Sequence, residues 1–396
     1  MPSSNVLLDP ITLPCGVVLK NRIIKSAMSD SLGDGTGHPT DAQSALYRLW
    51  ADGGLAASII GEVQGTPDFA EKPGNLVLNP EADHDRFREL ARNGQANGAL
   101  LWLQLGHAGA LAYAPTSNPK GPSALNLPGL TCTEMSLDQI EALPGEFART
   151  AGLAKQMGFG GVQIHAAHGF LLSQFLSPLF NQRTDAYGGS IEVRARLLLE
   201  TIQATRAAVG ATFPIAIKLN ASDQLEGGFT EEESLEVVAM LEDSSIDLID
   251  ISGGTYFPGA KAASDSGGPG PYFLRFAERA RKVTAKPIML TGGFKTRQQA
   301  VDAVSSGVVD VIGLARAMIL EPSLPHIWFD DVPRDPVFPR FAEAPEGGIT
   351  AWYTMRLTAL ASGETPPKQV DLHEAINDYE ARDRVRTEIW QRHFST

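Results

Sequence analysis

The sequence predicts an α/β fold closed into a (β/α)8 barrel, and three observations carry that prediction. Short β-branched or apolar runs alternate with longer helix-patterned stretches, which implies parallel strands joined by helical crossovers. About eight such runs fit within roughly 300 residues, the span of one closed barrel. The runs also turn polar at their C-terminal ends, the face on which barrels build their active sites.

Ahead of the first run, Ile11–Leu19 reads as a hairpin turning at Pro14-Cys15-Gly16, suited to plug the barrel bottom. The expected strands are then Arg22–Ser26, Ala57–Glu62, Ala99–Gln104, Gly161–His165, Pro214–Leu219, Asp247–Ser252, Lys286–Thr291 and Val309–Leu314. Their polar ends are Glu62, Gln104, His165, Lys218, Ser252 and Thr291, with Arg316 just past the eighth strand, whereas the N-terminal ends are mostly Pro, Gly, Asp or small residues. Capping boxes mark helix starts independently of the apolar pattern: Thr40 with Gln43, Ser136 with Gln139, Thr230 with Glu233, and Thr296 with Gln299. The segment from Gly106 to Ser136, rich in Pro, Gly, Ser and Asn, follows the third strand and is expected to lie over the active face as a partial lid. Past Leu320 the pattern breaks into a Pro-rich connector, a helix near Ala351–Ser362 and another near Leu372–Gln391. The expected organisation is a barrel over residues 1–330 and an extension over residues 331–396, packed on the barrel or at a subunit contact.

With 396 residues and 43% hydrophobic content, the chain is long enough to bury one large core. A net charge of −13, without Lys/Arg runs interleaved with aromatics, argues against nucleic acid as a partner. The segment MPSSNVLLDPITLPCG has neither a basic n-region nor a long apolar stretch, and no part of the chain approaches the ~18 apolar residues of a membrane span. A soluble cytoplasmic protein with a small-molecule substrate is expected, with a homo-oligomer compatible with the extension. Two cysteines, Cys15 and Cys132, cannot build a thiolate zinc or iron–sulfur site unaided.

The chemistry concentrates at the strand ends. His165 and His168 put two imidazoles side by side where the fourth strand gives way to a loop, able to donate to one ligand oxygen or to bind a metal. Nearby acids such as Asp185 and Glu192 show no ligand spacing, so a metal is not expected. After the seventh strand, Gly292-Gly293 leads into a capped helix and faces Ala315-Arg316 after the eighth, a place for a phosphate. Lys218 would be a cation deep in the mouth, or a lysine reaching solvent or paired with Glu62. Gln104 offers an amide for a heterocycle edge. Glu62 reads as a buried hydrogen-bonded acid; Arg183, Arg194 and Arg196 read as ties between loop and helix.

From Leu19-Lys20-Asn21-Arg22-Ile23 to Arg316 the chain resembles the Old Yellow Enzyme family of FMN-dependent NAD(P)H oxidoreductases. The motifs are His165-Ala-Ala-His168-Gly-Phe-Leu-Leu-Ser-Gln-Phe-Leu-Ser-Pro-Leu, Asn181-Gln-Arg-Thr-Asp-Ala-Tyr-Gly-Gly-Ser and Ile312-Gly-Leu-Ala-Arg316. The resemblance implies that Ala27, Met28 and Ser29 lie against a flavin ring, that Val63 lines it, that Gln104 pairs with its pyrimidine edge and that Lys218 sits near N1/O2. It implies that Gly292, Gly293, Ala315 and Arg316 hold the phosphate, and that His165 and His168 grip the carbonyl or nitro oxygen of an activated alkene. NADH or NADPH would be the reductant. Phe170 stands where the family carries a proton-donating Tyr, so water or Tyr113, Tyr256 or Tyr353 would substitute. Ser31 and Ala110 replace Tyr and Arg of some relatives. Quinone or oxygen reduction and redox-neutral isomerisation are the nearest alternatives. Beyond them stand a flavin-free lyase using Lys218 as a Schiff base and a non-catalytic flavin carrier. Dienoyl-CoA reductase relatives would need clustered cysteines and added domains.

Overall fold

Eight parallel strands form the barrel in a computed structural model that describes residues 5–257, 260, 270–341, 343–366 and 371–394. They are β1 (Ile23–Lys25), β2 (Ala57–Gln64), β3 (Leu100–Leu105), β4 (Gly161–Ala166), β5 (Ile215–Asn220), β6 (Leu248–Ser252), β7 (Ile288–Thr291) and β8 (Val311–Leu314). Each strand pairs in parallel with the next along the chain, and β1 closes the ring by pairing with both β8 and β2. Every expected strand is present within two residues of its expected start and end, because Ile, Leu and Val runs buried on both faces leave little freedom in where a strand lies.

The main helices between them are α1 (Asp41–Asp52), α2 (His84–Gly94), α3 (Leu137–Gln156), α4 (Arg196–Val209), α5 (Glu231–Glu242), α6 (Leu274–Ala280) and α7 (Arg297–Ser305). Ser136, Thr230 and Thr296 form complete capping boxes with Gln139, Glu233 and Gln299. Thr40 caps α1 through the Gln43 amide, but the Gln43 side chain turns instead to Asp30. The N-terminal hairpin pairs Ile11–Thr12 with Val18–Leu19, and its Leu13 and Leu19 pack on Ile24, Ile59, Trp102 and Met289 to seal the bottom.

The Gly106–Ser136 segment is a compact unit rather than an open loop. It holds three short strands, Lys120–Gly121, Leu125–Leu127 and Leu130–Glu134, over a cluster of Ala110, Leu130, Cys132, Phe180 and Phe257. Arg183 ties this unit down through the Pro122 and Met135 carbonyls, Arg194 bonds the Leu176 and Gly189 carbonyls and Glu233, and Arg196 pairs with Glu200.

The extension carries two helices, α8 (Gly348–Ala361) and α9 (Leu372–Phe394), and they lie across the barrel mouth. α8 packs on α1, Trp390 of α9 packs with Ala70 and Val77, and Arg386 donates to the Ser31 carbonyl. Among the described residues no helix is long and apolar enough to cross a membrane, and no group of three His, Cys, Asp or Glu side chains is placed to hold a metal ion.

Candidate active site

At the C-terminal ends of the strands a cavity of about 180 Å³ opens under α8 and α9. Ala27, Met28 and Ser29 after β1 form one side, with Glu62, Gln104, His165, His168 and Arg316 around the ring. Phe170, Tyr256, Tyr353 and Tyr379 supply aromatic walls.

Three of the six described non-glycine residues with positive φ line this cavity: Ser31 at 52°, Glu62 at 58° and His168 at 62°. Such strain persists only where surrounding bonds over-determine it, and its clustering marks a functional site. His168 shows the restraint: its amide donates to Asn220 Oδ1, and its carbonyl accepts from Tyr256.

The two imidazoles lie against each other, with Nε2 of His165 3.1 Å from Nδ1 of His168. The outer nitrogens are also engaged. Nδ1 of His165 lies 2.5 Å from Glu62 Oε1, close but out of hydrogen-bond alignment, and both atoms are buried without a hydrogen-bond partner among the described residues, so a small rotation of either side chain would satisfy both. Nε2 of His168 lies 2.9 Å from Ser252 Oγ. Burial holds both rings neutral, His165 down to about 3 with further help from Lys218, and His168 well below the ordinary histidine value. Burial pushes Glu62 up to about 8. Glu71, half-buried in the same cavity, is pushed up to about 7 by burial and then by the charge of Glu62.

Below this layer the barrel interior carries a polar network. Asp250 accepts from Gln163, Thr291 and Lys218, and Gln163 in turn accepts from Gln104. The remaining amide oxygen of Gln104 meets no donor among the described residues, which leaves it for the edge of a bound heterocycle. Arg316 has no carboxylate partner among the described residues; its guanidinium lies 5.1 Å from the centre of the Tyr353 ring. A half-buried cation so placed fits an anionic phosphate, and the Gln104 oxygen fits a ring N–H, so the residues suit FMN. The Gly292–Gly293 turn, with φ of 117° and 85°, is covered by the 270–272 segment, whose Tyr272 amide bonds the Gly292 carbonyl. That segment must yield for the amides to reach a phosphate.

Two expected residues lie elsewhere. Val63 is fully buried and lines a small space against Phe147 and Thr150 of α3, because a bulge between Ile60 and Val63 and the left-handed turn at Glu62 reverse the strand's alternation. Glu62 takes the inward position instead. Lys218 is 1% exposed and paired with Asp250, so its charge is already balanced and it does not pair with Glu62. Of the three alternative phenols, Tyr256 and Tyr353 line the cavity, while Tyr113 sits outside it under Lys72.

Apart from Tyr353, sequence reasoning does not anticipate Glu71 or the contribution of α8 and α9, namely Thr350, Thr354, Leu357 and Tyr379. One signal was available for α8. Its sequence, GITAWYTMRLTALA, is apolar on nearly every face, as expected of a helix covered on several sides.

The family model for NADH:flavin oxidoreductase / NADH oxidase matches residues 6–328. NADH-dependent flavin oxidoreductase iliE of Neonectria sp. is 35% identical over 352 residues, covering 80% of this chain but 46% of that protein. Its namesake in Hypocrea jecorina is 33% identical over 353 residues, covering 80% of this chain and 87% of that protein. Among solved structures, the Old Yellow Enzyme homologue from Zymomonas mobilis superposes with a TM-score of 0.73 at 25% identity, covering 88% of this chain and 98% of the other.

Proposed function

Since the chain belongs to the NADH:flavin oxidoreductase / NADH oxidase family, we propose that it is an FMN-dependent oxidoreductase. It accepts hydride from NADH or NADPH and delivers it to an activated alkene, an α,β-unsaturated carbonyl or nitro compound. The observation that carries this reading is the imidazole pair, Nε2 of His165 facing Nδ1 of His168 across 3.1 Å beside a cavity that also holds the Arg316 guanidinium, which has no carboxylate partner among the described residues.

FMN, when bound, supplies two-electron hydride transfer in either direction. Arg316, with Gly292, Gly293 and Ala315 beside it, would hold the phosphate, and Gln104 the ring edge. Ala27, Met28 and Ser29 would lie against the ring face, with Ser29 Oγ held by the Asn75 amide at 3.2 Å. A substrate oxygen entering between the imidazoles exchanges one His–His bond for two bonds to itself. Those bonds draw electron density from the conjugated system and lower the barrier to hydride addition at the β-carbon. α8 and α9 cover the cavity and narrow the access of solvent to the reacting atoms.

Phe170 favours a second reading. It lies 4.8 Å from the His165 ring and has no proton to give. Quinone reduction places both new protons on oxygen and needs no donor to carbon. Reconstitution with FMN, anaerobic reduction by NADH or NADPH, and reoxidation by 2-cyclohexenone, a nitroalkene or a benzoquinone test both readings. Reoxidation by the alkenes supports the first, and by the quinone alone the second. Failure to retain a yellow chromophore in the presence of excess FMN rejects both.

A further inference from the structure

We propose that Glu62 is held as a neutral carboxyl that fixes His165 in its Nε2–H tautomer and, through that ring, delivers a proton to the oxygen of the bound substrate. The delivery step rests on the alkene-reduction reading above; the tautomer assignment rests on the proximity of Glu62 to His165 and on the burial of both.

A neutral imidazole has one N–H and one lone pair. For both rings to donate to one oxygen lodged between them, Nε2 of His165 and Nδ1 of His168 must each carry hydrogen. Nδ1 of His165 and Nε2 of His168 must then accept. Their neighbours are Glu62 Oε1 at 2.5 Å and Ser252 Oγ at 2.9 Å. A serine hydroxyl can donate in any state, whereas a carboxyl can donate only when protonated. The site therefore works as a double donor only if Glu62 keeps its proton.

Its surroundings favour that state. Glu62 is 2% exposed, and burial pushes its pKa up to about 8 while His165 is pushed down to about 3, so the shared proton belongs to the carboxyl. The groups facing it are Gln64, which donates to Oε2 at 3.3 Å, Glu71 across the cavity, and the balanced Lys218–Asp250 pair behind His165. No cation bonds Glu62 among the described residues. The left-handed backbone at Glu62 turns this carboxyl into the mouth in the place that regular alternation would give Val63.

With reduced FMN as the hydride source, a C–H bond would form at the β-carbon and the alkene π pair would move through the α-carbon to leave an enolate or nitronate oxygen. That oxygen takes the Nε2 proton of His165 as Nδ1 takes the proton of Glu62. One O–H and one N–H bond form while one N–H and one O–H break. The products are a neutral enol or nitronic acid and a Glu62 carboxylate, which solvent reprotonates through the cavity. The enol becomes the ketone after release, so no donor to carbon is needed.

The test uses FMN-loaded protein with 15N-labelled histidine, followed by NMR from pH 5.5 to 9.5. His165 should carry hydrogen on Nε2 at pH 7, and its Nδ1 signal should move in one step near pH 8. Glu62→Gln, whose amide can donate but cannot transfer a proton, should keep the tautomer and lose the step; Glu62→Leu should lose the tautomer. With 2-cyclohexenone at pH 7, Glu62→Gln should hold KM within about twofold while kcat falls at least tenfold. Turnover of a 2-substituted enone in D2O should place deuterium on the α-carbon without facial preference. Hydrogen on Nδ1 of His165 in the wild type, an unchanged kcat in Glu62→Gln, or deuterium on one face, as direct donation from Tyr256 would give, overturns the proposal. If Glu62→Leu does not fold, Glu62→Gln and the wild-type spectra still decide. The expected tautomers with no alkene turnover would support the assignment of Glu62 as the tautomer-setting acid and remove the alkene reading.

Discussion

At the N-terminal ends of the strands, Leu13 and Leu19 of the hairpin close on Ile24, Ile59, Trp102, Ala216 and Met289, all buried in regular extended backbone. At the opposite ends, Glu62 of β2 and His168 just past β4 adopt left-handed backbone, two imidazoles press together, and an acid is held at about 8. One end keeps to regular extended backbone, with the Trp102 indole N–H left unpartnered among the described residues, and the other sets several local preferences aside. The regular end supplies the stability against which the strained end is held, and the two should respond differently to substitution.

The largest expected effect is at the bottom. Trp102 is fully buried, and Gly161 of β4 packs so closely that a Cβ there would lie 2.8 Å from its indole nitrogen. Trp102→Ala should cost about 3–5 kcal/mol, the range for large buried aromatics. Urea unfolding measures it, and a loss under about 1 kcal/mol would show that the hairpin plug carries little of the fold.

How legible each end is follows from the same contrast. The strands, the three full capping boxes and the hairpin could be placed from sequence, because periodicity and capping are local and Ile, Val and Leu have few alternatives once both faces are buried. The mouth departs where the decisive fact is not local. The exchange of Val63 for Glu62 depends on a bulge set by pairing with Leu103 and Leu105 of β3, which no pattern within β2 reveals. The partner of Lys218 was within reach: parallel pairing of consecutive strands sets Lys218 beside Asp250. The direction in which α8 and α9 cross the barrel is written in tertiary packing alone. That His165, His168, Gln104 and Arg316 line one cavity was legible because strand ends in a barrel converge on one place whatever the loops do.

A middle-sized effect separates the ends by pH. Glu62 has a folded-state pKa of about 8 against an ordinary value of 4.5, so the folded protein binds the proton more tightly than the unfolded chain. Its favourable contribution is complete below pH 4.5 and is lost as pH rises through 8. His165 works in the other direction, its contribution falling away as pH drops below 6.5 towards 3. Glu62→Gln should therefore gain on the wild type steadily from pH 5 to 8.5, by on the order of 1–3 kcal/mol. Melting temperatures across that range check the sign. Glu71 retains a smaller decline in the same direction in both proteins, and a difference that does not vary with pH would place the titrating proton elsewhere.

The smallest effect is the sharpest comparison, because it predicts a sign. Alanine is ordinarily preferred to glycine, since glycine loses more conformational freedom on folding; at Ala216, in the regular part of β5, Ala216→Gly should cost about 0.5–1 kcal/mol. At His168 the backbone is held at φ 62° by the Asn220 side chain and the Tyr256 amide, neither of which depends on the imidazole. His168→Ala keeps the clash of a Cβ in the left-handed region, about 1–2 kcal/mol, and His168→Gly removes it. Both variants lose the same bonds to His165 and Ser252, so those losses cancel between them. After the glycine entropy cost is subtracted, His168→Gly should be more stable than His168→Ala by about 0.5–1 kcal/mol. If His168→Gly is instead the less stable of the two, the left-handed turn stores no strain and the contrast between the two ends reduces to one of polarity.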